Sequence, residues 1–426
     1  MIKRSFFTFT KPGFTYEELT DTLAPPRPVP LPSAVTLYID KPFAQKDALK
    51  LKSGTPVKTG ERLSLGGDAG PAVISPVSGS IQGLTAYTGD YGRRLTAVTI
   101  KVDKDEPVEE GFDPDTPVTL AYLRRYFASA PGAPPLAELA DEKKTVSKLV
   151  IYGGDADLLT HTNQYVAKTR SEALKKGIAV LREATELEEI VIALPGETLQ
   201  GHEYPDVTVI NVPAAYPNAQ PLMVLYKALG YSVPSDGNAE SLGVLFMRAE
   251  AVAAIGSAYL TGRLTTDKLV TVIDKKGNRT LASVRLGTPV SQILKQFKIE
   301  VAEGDRLIFG GPMTGSAIYS EDQPIMADTD ALLVQDAKDV SVCSDYPCIN
   351  CGDCIRICPA AIQVPMLVRF LEAGQYEEAA DLYDLFSCVE CGLCSFVCSS
   401  RIPILQYIKL GKFELAHMLT AEEANE

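Results

Sequence analysis

Apolar residues fall along this chain in two rhythms, and the change between them divides it. From Val35 to Val102 they come in short runs: Val35–Ile39, Arg62–Leu65, Val73–Ser75, Ser80–Leu84 and Thr96–Val102. Gly60, Gly66, Gly67, Gly70 and Gly79 punctuate these runs, which predicts a small all-β unit. Ahead of it, Ala24–Pro32 is so rich in proline that it predicts an extended segment wrapped over a surface. Residues 106–146 are acidic, then rich in proline and alanine, and read as a connecting segment.

From Leu149 the period changes. Leu149–Tyr152 is a continuous apolar run ending in Gly153-Gly154, and Ile190–Leu194 and Val207–Val212 are further runs of that kind. Between and after them, Asn163–Ala184, Gln220–Leu229 and Leu245–Tyr259 carry a helical pattern. Alternating strands and helices predict a parallel-sheet α/β domain. Residues 268–315 then predict a small α+β module. Leu269–Ile273 and Arg279–Ser283 flank a turn at Lys275–Asn278, followed by a helix at Val290–Phe297, a strand at Arg306–Phe309 and the loop Gly310–Gly315. Near the end, Ala360–Ala373 predicts a helix with Val364, Leu367, Val368 and Leu371 inward. Gly374 stops it and Tyr376–Leu385 starts another.

Composition narrows the picture. Apolar residues make up 46% and charged residues 22%, as in a globular chain, and no run reaches the ~18 uncharged apolar residues of a membrane helix. Met1–Phe9 lacks the apolar core of a secretory leader, so a cytoplasmic protein is expected. A net charge of −13 argues against nucleic acid as a partner. It serves solubility, or else marks an acidic docking face for a basic redox partner.

Cysteine carries the chemistry. All nine cysteines lie after residue 342. Eight of them form two runs, Cys348, Cys351, Cys354, Cys358 and Cys388, Cys391, Cys394, Cys398, both with C-x2-C-x2-C-x3-C spacing. Three thiolates on a tight loop can wrap one face of an iron–sulfur cubane, while the fourth points away and reaches the other cluster. This predicts two [4Fe–4S] clusters, one on Cys348, Cys351, Cys354 and Cys398, the other on Cys388, Cys391, Cys394 and Cys358. Gly352 and Gly392 let the backbone pass close to the sulfides. Pro359 follows the first run, and Ser399 in its place after the second should loosen the exit turn. Zinc sites more often use two separated C-x2-C pairs, and a disulfide scaffold would spread its cysteines. Cys343 is left over and reads as a buried or reduced free thiol. His161, His202 and His417 are too dispersed to suggest a site. No catalytic residue is assigned.

Two resemblances add to this. Val57–Leu63 and Ser75–Ile81 resemble the barrel-sandwich hybrid of lipoyl and biotinyl domains. Their connection, Gly66–Pro71, has no lysine to modify, so no attachment is expected. The order of units, the two cysteine runs, Arg401–Tyr407, Gly310–Gly315 and Val284–Pro289 resemble the C subunit of the Rnf-type ion-translocating electron-transport complex. The implied architecture is multidomain, α/β and α+β. It comprises a barrel-sandwich unit over 1–115, a Rossmann-like α/β domain over 116–265, a β-grasp (SLBB-like) module over 266–335 and an α-helical two-cluster ferredoxin over 336–426.

That family implies an electron-transfer subunit, peripheral on the cytoplasmic face of the inner (plasma) membrane. It would bind FMN, exchange electrons with NADH and with other subunits, and serve NAD:ferredoxin electron transfer coupled to ion pumping. The loops matching the family's glycine-rich flavin and nicotinamide site are Ala130–Pro135 and Tyr152–Leu158. Prolines there replace glycines and remove N–H donors, and Asp155 and Asp157 stand where the family has glutamates. No residue is therefore assigned to FMN or NAD. The alternatives are a flavin-free relay taking electrons from a protein donor such as a cytochrome, and a soluble iron–sulfur dehydrogenase subunit.

Overall fold

The computed structural model describes residues 12–19, 24–49, 51–66, 70–105, 107–109, 111–141, 145–195, 204, 207–234, 239–344 and 346–423. Met1–Phe9, the centre of the Gly66–Pro71 connection and His202 lie outside them.

Strict alternation sends Val35, Leu37 and Ile39 of strand Ala34–Ile39 inward. They meet Val57, Leu63, Ile81, Val98 and Ile100 in one core. Strands Ala34–Ile39, Arg94–Val102, Gly79–Thr88 and Pro56–Val57 form a four-stranded sheet, and Arg62–Ser64 pairs with Ala72–Ile74. The hairpin of Gly79–Thr88 and Arg94–Val102 is longer than the apolar run predicts. Its tip carries Tyr91 onto Phe413 of the last helix, ring centroids 5.1 Å apart. The proline-rich segment is extended and pairs through Arg27–Pro28 with Ala282 and Ser283 at a sheet edge, where a missing N–H costs little.

The central sheet is parallel throughout, in the order Thr208–Val212, Glu189–Pro195, Lys148–Tyr152, Val244–Arg248. Three expectations need correcting here. Residues 106–146 are more than a connection. Helix Leu120–Phe127, N-capped by Thr119, buries Leu123 and Phe127 in the core of this domain. The run Leu245–Tyr259 is strand Val244–Arg248 followed by helix Ala249–Thr261, because a continuous apolar stretch carries no period to separate the two. The helix expected over Asn163–Ala184 breaks at Arg170 into Thr162–Thr169 and Ser171–Ala184. The second piece then packs tightly on Ala249–Thr261, so tightly that a Cβ on Gly256 would overlap the Ala173 carbonyl.

A six-stranded mixed sheet follows, built on the antiparallel pair Asp267–Ile273 and Arg279–Arg285. It runs past Gly315, adding Ser316–Ile318 and Ala331–Gln335 to Arg306–Phe309. The cysteine-rich end is helical. Val364, Leu367, Val368 and Leu371 of helix Val364–Glu372 are buried against helix Tyr376–Tyr383 and the last helix, Ile404–Glu423. Among the described residues no helix is long and apolar enough to cross a membrane.

Candidate metal centre

The two cysteine runs trace the same backbone. Asn350 and Glu390 take φ of 55° and 54°, and Gly352 and Gly392 take 76° and 73°. Each run then enters a five-residue helix, Asp353–Ile357 or Leu393–Val397. The exit turns match as well. Ala361 N donates to Cys358 O at 3.3 Å and Arg401 N to Cys398 O at 3.1 Å. The turn's hydrogen bond is thus kept where Ser399 stands in place of Pro359's counterpart.

Two cavities sit between the runs. One is lined by Cys348, Cys351, Cys354 and Cys398, the other by Cys358, Cys388, Cys391 and Cys394. Each gathers three cysteines of one run and the last cysteine of the other. Apolar side chains complete the walls, among them Val364 and Val368 around the first and Ile362 and Leu367 around the second. Among the described residues no three His, Cys, Asp or Glu side chains converge as ligands of one ion do. Four cysteines line each cavity, a donor set that suits a polynuclear cluster. Cys343 is exposed, not buried, and lines neither cavity.

The environment of the thiols is apolar. Burial pushes the Cys354 and Cys388 thiols up to about 11 and the Cys391 thiol to about 12, and raises Cys394 well above its ordinary range. Thiolates there need positive charge to offset the lost hydration, and the iron of a bound cluster would supply it. Lys412 adds a little. Its Nζ donates to the Cys388 carbonyl at 2.8 Å and to Glu390 Oε1 at 2.8 Å. Two backbone N–H groups also reach sulfur, Glu390 to Cys388 Sγ and Ile402 to Cys398 Sγ, both at 3.4 Å.

The second cavity faces the rest of the protein. Gly392 packs against the Met313 carbonyl so closely that a Cβ would stand 2.3 Å from that oxygen. Lys409 Nζ donates to the Thr314 carbonyl at 2.9 Å, and Tyr216 Oη donates to the Cys391 carbonyl at 2.6 Å. The first cavity lies toward the surface, beside exposed Ile349. Sequence reasoning missed Tyr216, Lys409 and Lys412. None has a spacing signal, since each acts through tertiary placement. Of the histidines, His161 is half-buried with Nε2 3.0 Å from Arg279 Nη1, and His417 lies exposed on the last helix.

A third, larger cavity of about 610 Å3 opens on the other side of the Met313 loop. Asp155 and Asp157 line it, with Arg248, Gly311, Tyr87 and Phe413. Burial pushes Asp155 up to about 7, against the pull of the Asn163 and Gln164 N–H groups on its oxygens.

Comparison with known proteins agrees with the cysteine geometry. Residues 347–402 match the 4Fe-4S dicluster domain family. The C subunit of the ion-translocating oxidoreductase complex of Haemophilus influenzae (strain PittEE) is 28% identical over 419 residues, covering 92% of this chain and 63% of that protein. The protein of the same name from Pseudomonas aeruginosa is 27% identical, over 88% of this chain and 51% of its own length. The one from Yersinia pestis bv. Antiqua is 24% identical, over 93% and 67%. The chain thus spans about half to two thirds of these relatives. An NAD+-reducing [NiFe]-hydrogenase chain is similar over 72% of this chain and 61% of its own length. That likeness, at 12% identity and a TM-score of 0.43, is too weak to build on. The resemblance carried by the cysteine runs and the glycine loops extends over nine tenths of the sequence: this chain is similar to the C subunits of ion-translocating oxidoreductase complexes, and its residues 347–402 match a 4Fe-4S dicluster domain.

Proposed function

We propose that this chain is the electron-transfer subunit of a membrane-associated Rnf-like complex and that it passes electrons through two [4Fe–4S] clusters. The crossed grouping of cysteines carries the reading. Cys348, Cys351, Cys354 and Cys398 hold one cluster, and Cys388, Cys391, Cys394 and Cys358 the other. What the chain contributes is a dry, thiol-lined seat for each cluster and a short path between them through the shared runs. It binds and positions. The cluster on Cys388 lies against the α/β domain, and the one on Cys348 lies toward the surface, within reach of another redox protein.

The division we propose is a barrel-sandwich unit over 1–115, a Rossmann-like domain over 116–265, a β-grasp module over 266–335 and the helical ferredoxin over 336–426, with Arg27–Pro28 of the first reaching across to pair in the sheet of the third. Partners are the other subunits of the complex, and the site of action is the cytoplasmic face of the membrane. We favour the version in which electrons come from a protein donor, because the Ala130–Pro135 loop and the N–H groups behind Asp155 and Asp157 have spent their donors internally.

An anaerobic preparation of the whole chain tests this. The reading expects about eight irons per chain and bleaching of the visible spectrum by dithionite. Bleaching by NADH alone, with flavin bound, would replace the protein-donor version with an NADH-oxidising one. A colourless or zinc-only protein would remove the proposal altogether.

A further inference from the structure

Strand order in the parallel sheet reverses between Lys148–Tyr152 and Val244–Arg248. Open α/β sheets receive their ligands at such a point, beyond the carboxyl ends of the strands. The cavity of about 610 Å3 lies there, between Asp155 and Arg248.

Two sets of N–H donors back the carboxylates of its wall. The first is the amino end of helix Thr162–Thr169, a place where anions are favoured. The second is the loop after Gly311. Both sets are already taken. Asp155 Oδ1 accepts from Asn163 N at 2.9 Å and Oδ2 from Gln164 N at 3.2 Å. Asp157 accepts from Met313 N at 3.1 Å, from Thr314 N at 2.7 Å and from Thr314 Oγ1 at 2.7 Å. Its carboxyl group presses so close to Gly311 that a Cβ there would stand 2.5 Å from Asp157 Cγ.

We propose that Asp155 and Asp157 are built-in occupants of two anion seats, and that the cavity therefore refuses phosphate-bearing cofactors. The FMN and NADH that the family resemblance implies do not fit these residues. A phosphate would have to displace a carboxylate from its donors and then sit among Asp155, Asp157 and Asp330, facing two guanidinium groups that already have carboxylate partners, Arg248 with Asp330 and Arg93 with Asp40. The loop Ala130–Pro135 offers no substitute. Gly132 N donates to the Ala327 carbonyl and Ala133 N to the Ala130 carbonyl, while the prolines have no N–H. A Cβ on Gly132 would stand 2.4 Å from Ala251 N, so this loop is packed into the domain and not opened to a ligand.

This inference deepens the protein-donor version above and rests on it for its meaning, but it is tested separately. The full-length, cluster-loaded chain is melted in rising inorganic phosphate against chloride of equal ionic strength, and FMN uptake is read from quenching of flavin fluorescence. Wild type should show no saturable phosphate effect and no quenching. Asp157→Ala should melt lower and then recover several °C in a saturable way with phosphate or acetate, as a ligand well above its dissociation constant does. Asp155→Ala provides the same test at the other seat if Asp157→Ala does not fold. Saturable stabilisation of wild type by phosphate, FMN uptake by wild type, or variants that ignore both anions would overturn the proposal. Iron content separates the two ideas. A chain without iron that refuses phosphate sinks the electron-relay reading alone, whereas an iron-loaded chain that takes up FMN sinks the filled seats alone.

Discussion

Tyr216 donates its hydroxyl proton to the carbonyl oxygen of Cys391 at 2.6 Å, joining the α/β domain to the second cysteine of a run 175 positions away in sequence. Both residues are buried, so the carbonyl has no water to turn to. Tyr216→Phe keeps the ring and removes the bond. It should cost about 1–3 kcal/mol, with iron content unchanged and faster bleaching of the visible spectrum in air. Melting curves and timed absorbance on the anaerobic protein check both.

Lys268 is fully buried and bonds Glu250, Asp330 Oδ1 and the Leu269 carbonyl. Burial pushes the Asp330 carboxyl up, but Lys268 and Arg248 outweigh it and hold the group below its ordinary range. Lys268→Ala leaves Glu250 buried without its cation and Asp330 with Arg248 alone. Denaturant titration should show a loss of about 3–5 kcal/mol. Lys268→Met with Glu250→Gln, which removes the charges together, should lose less.

The His161 ring accepts from Arg279 through Nε2, and Glu17 pairs with the same guanidinium. Burial, then the Arg279 charge, lowers His161 to about 4. The unfolded chain takes up this proton near pH 6.5, the folded one only near pH 4. Stability attributable to His161 is therefore intact above pH 6.5 and falls as the pH drops toward 4. His161→Gln should narrow its gap to wild type, or reverse it, by about 2 kcal/mol across that window. Melting the pair of proteins across that pH range measures the difference.

Cys343 lines neither cysteine cavity and is exposed. Cys343→Ala should keep about eight irons per chain and the same visible spectrum. A loss of about half the iron would make it a ligand and overturn the grouping of the other eight cysteines.

The parts of this protein legible in its sequence are those fixed by local spacing. Alternation placed Val35, Leu37 and Ile39 inward, and the Lys275–Asn278 turn marked its hairpin. The doubled cysteine spacing marked the metal centre, since ligand geometry is itself local. What stayed hidden depends on long-range placement. Val244–Arg248 is a strand because it pairs with Lys148–Tyr152, and nothing in its own residues sets it apart from the helix it leads into. Helix Leu120–Phe127 lies in a stretch whose prolines and charges mask Leu123 and Phe127. The seats filled by Asp155 and Asp157 follow from a loop at Met313 that is 156 positions from Asp157.

Paired removal of ligands tests the crossed clusters most directly. Two missing thiolates cannot hold a cubane, whereas one missing thiolate can leave a remnant. Cys354→Ala with Cys398→Ala, one from each run, should empty a single site and leave about four irons and one reduced-cluster spectrum. Cys354→Ala with Cys394→Ala, also one from each run, should damage both sites and leave neither intact. If the first pair loses all its iron, or the two pairs behave alike, the two runs do not exchange their last cysteines and the crossed clusters are contradicted.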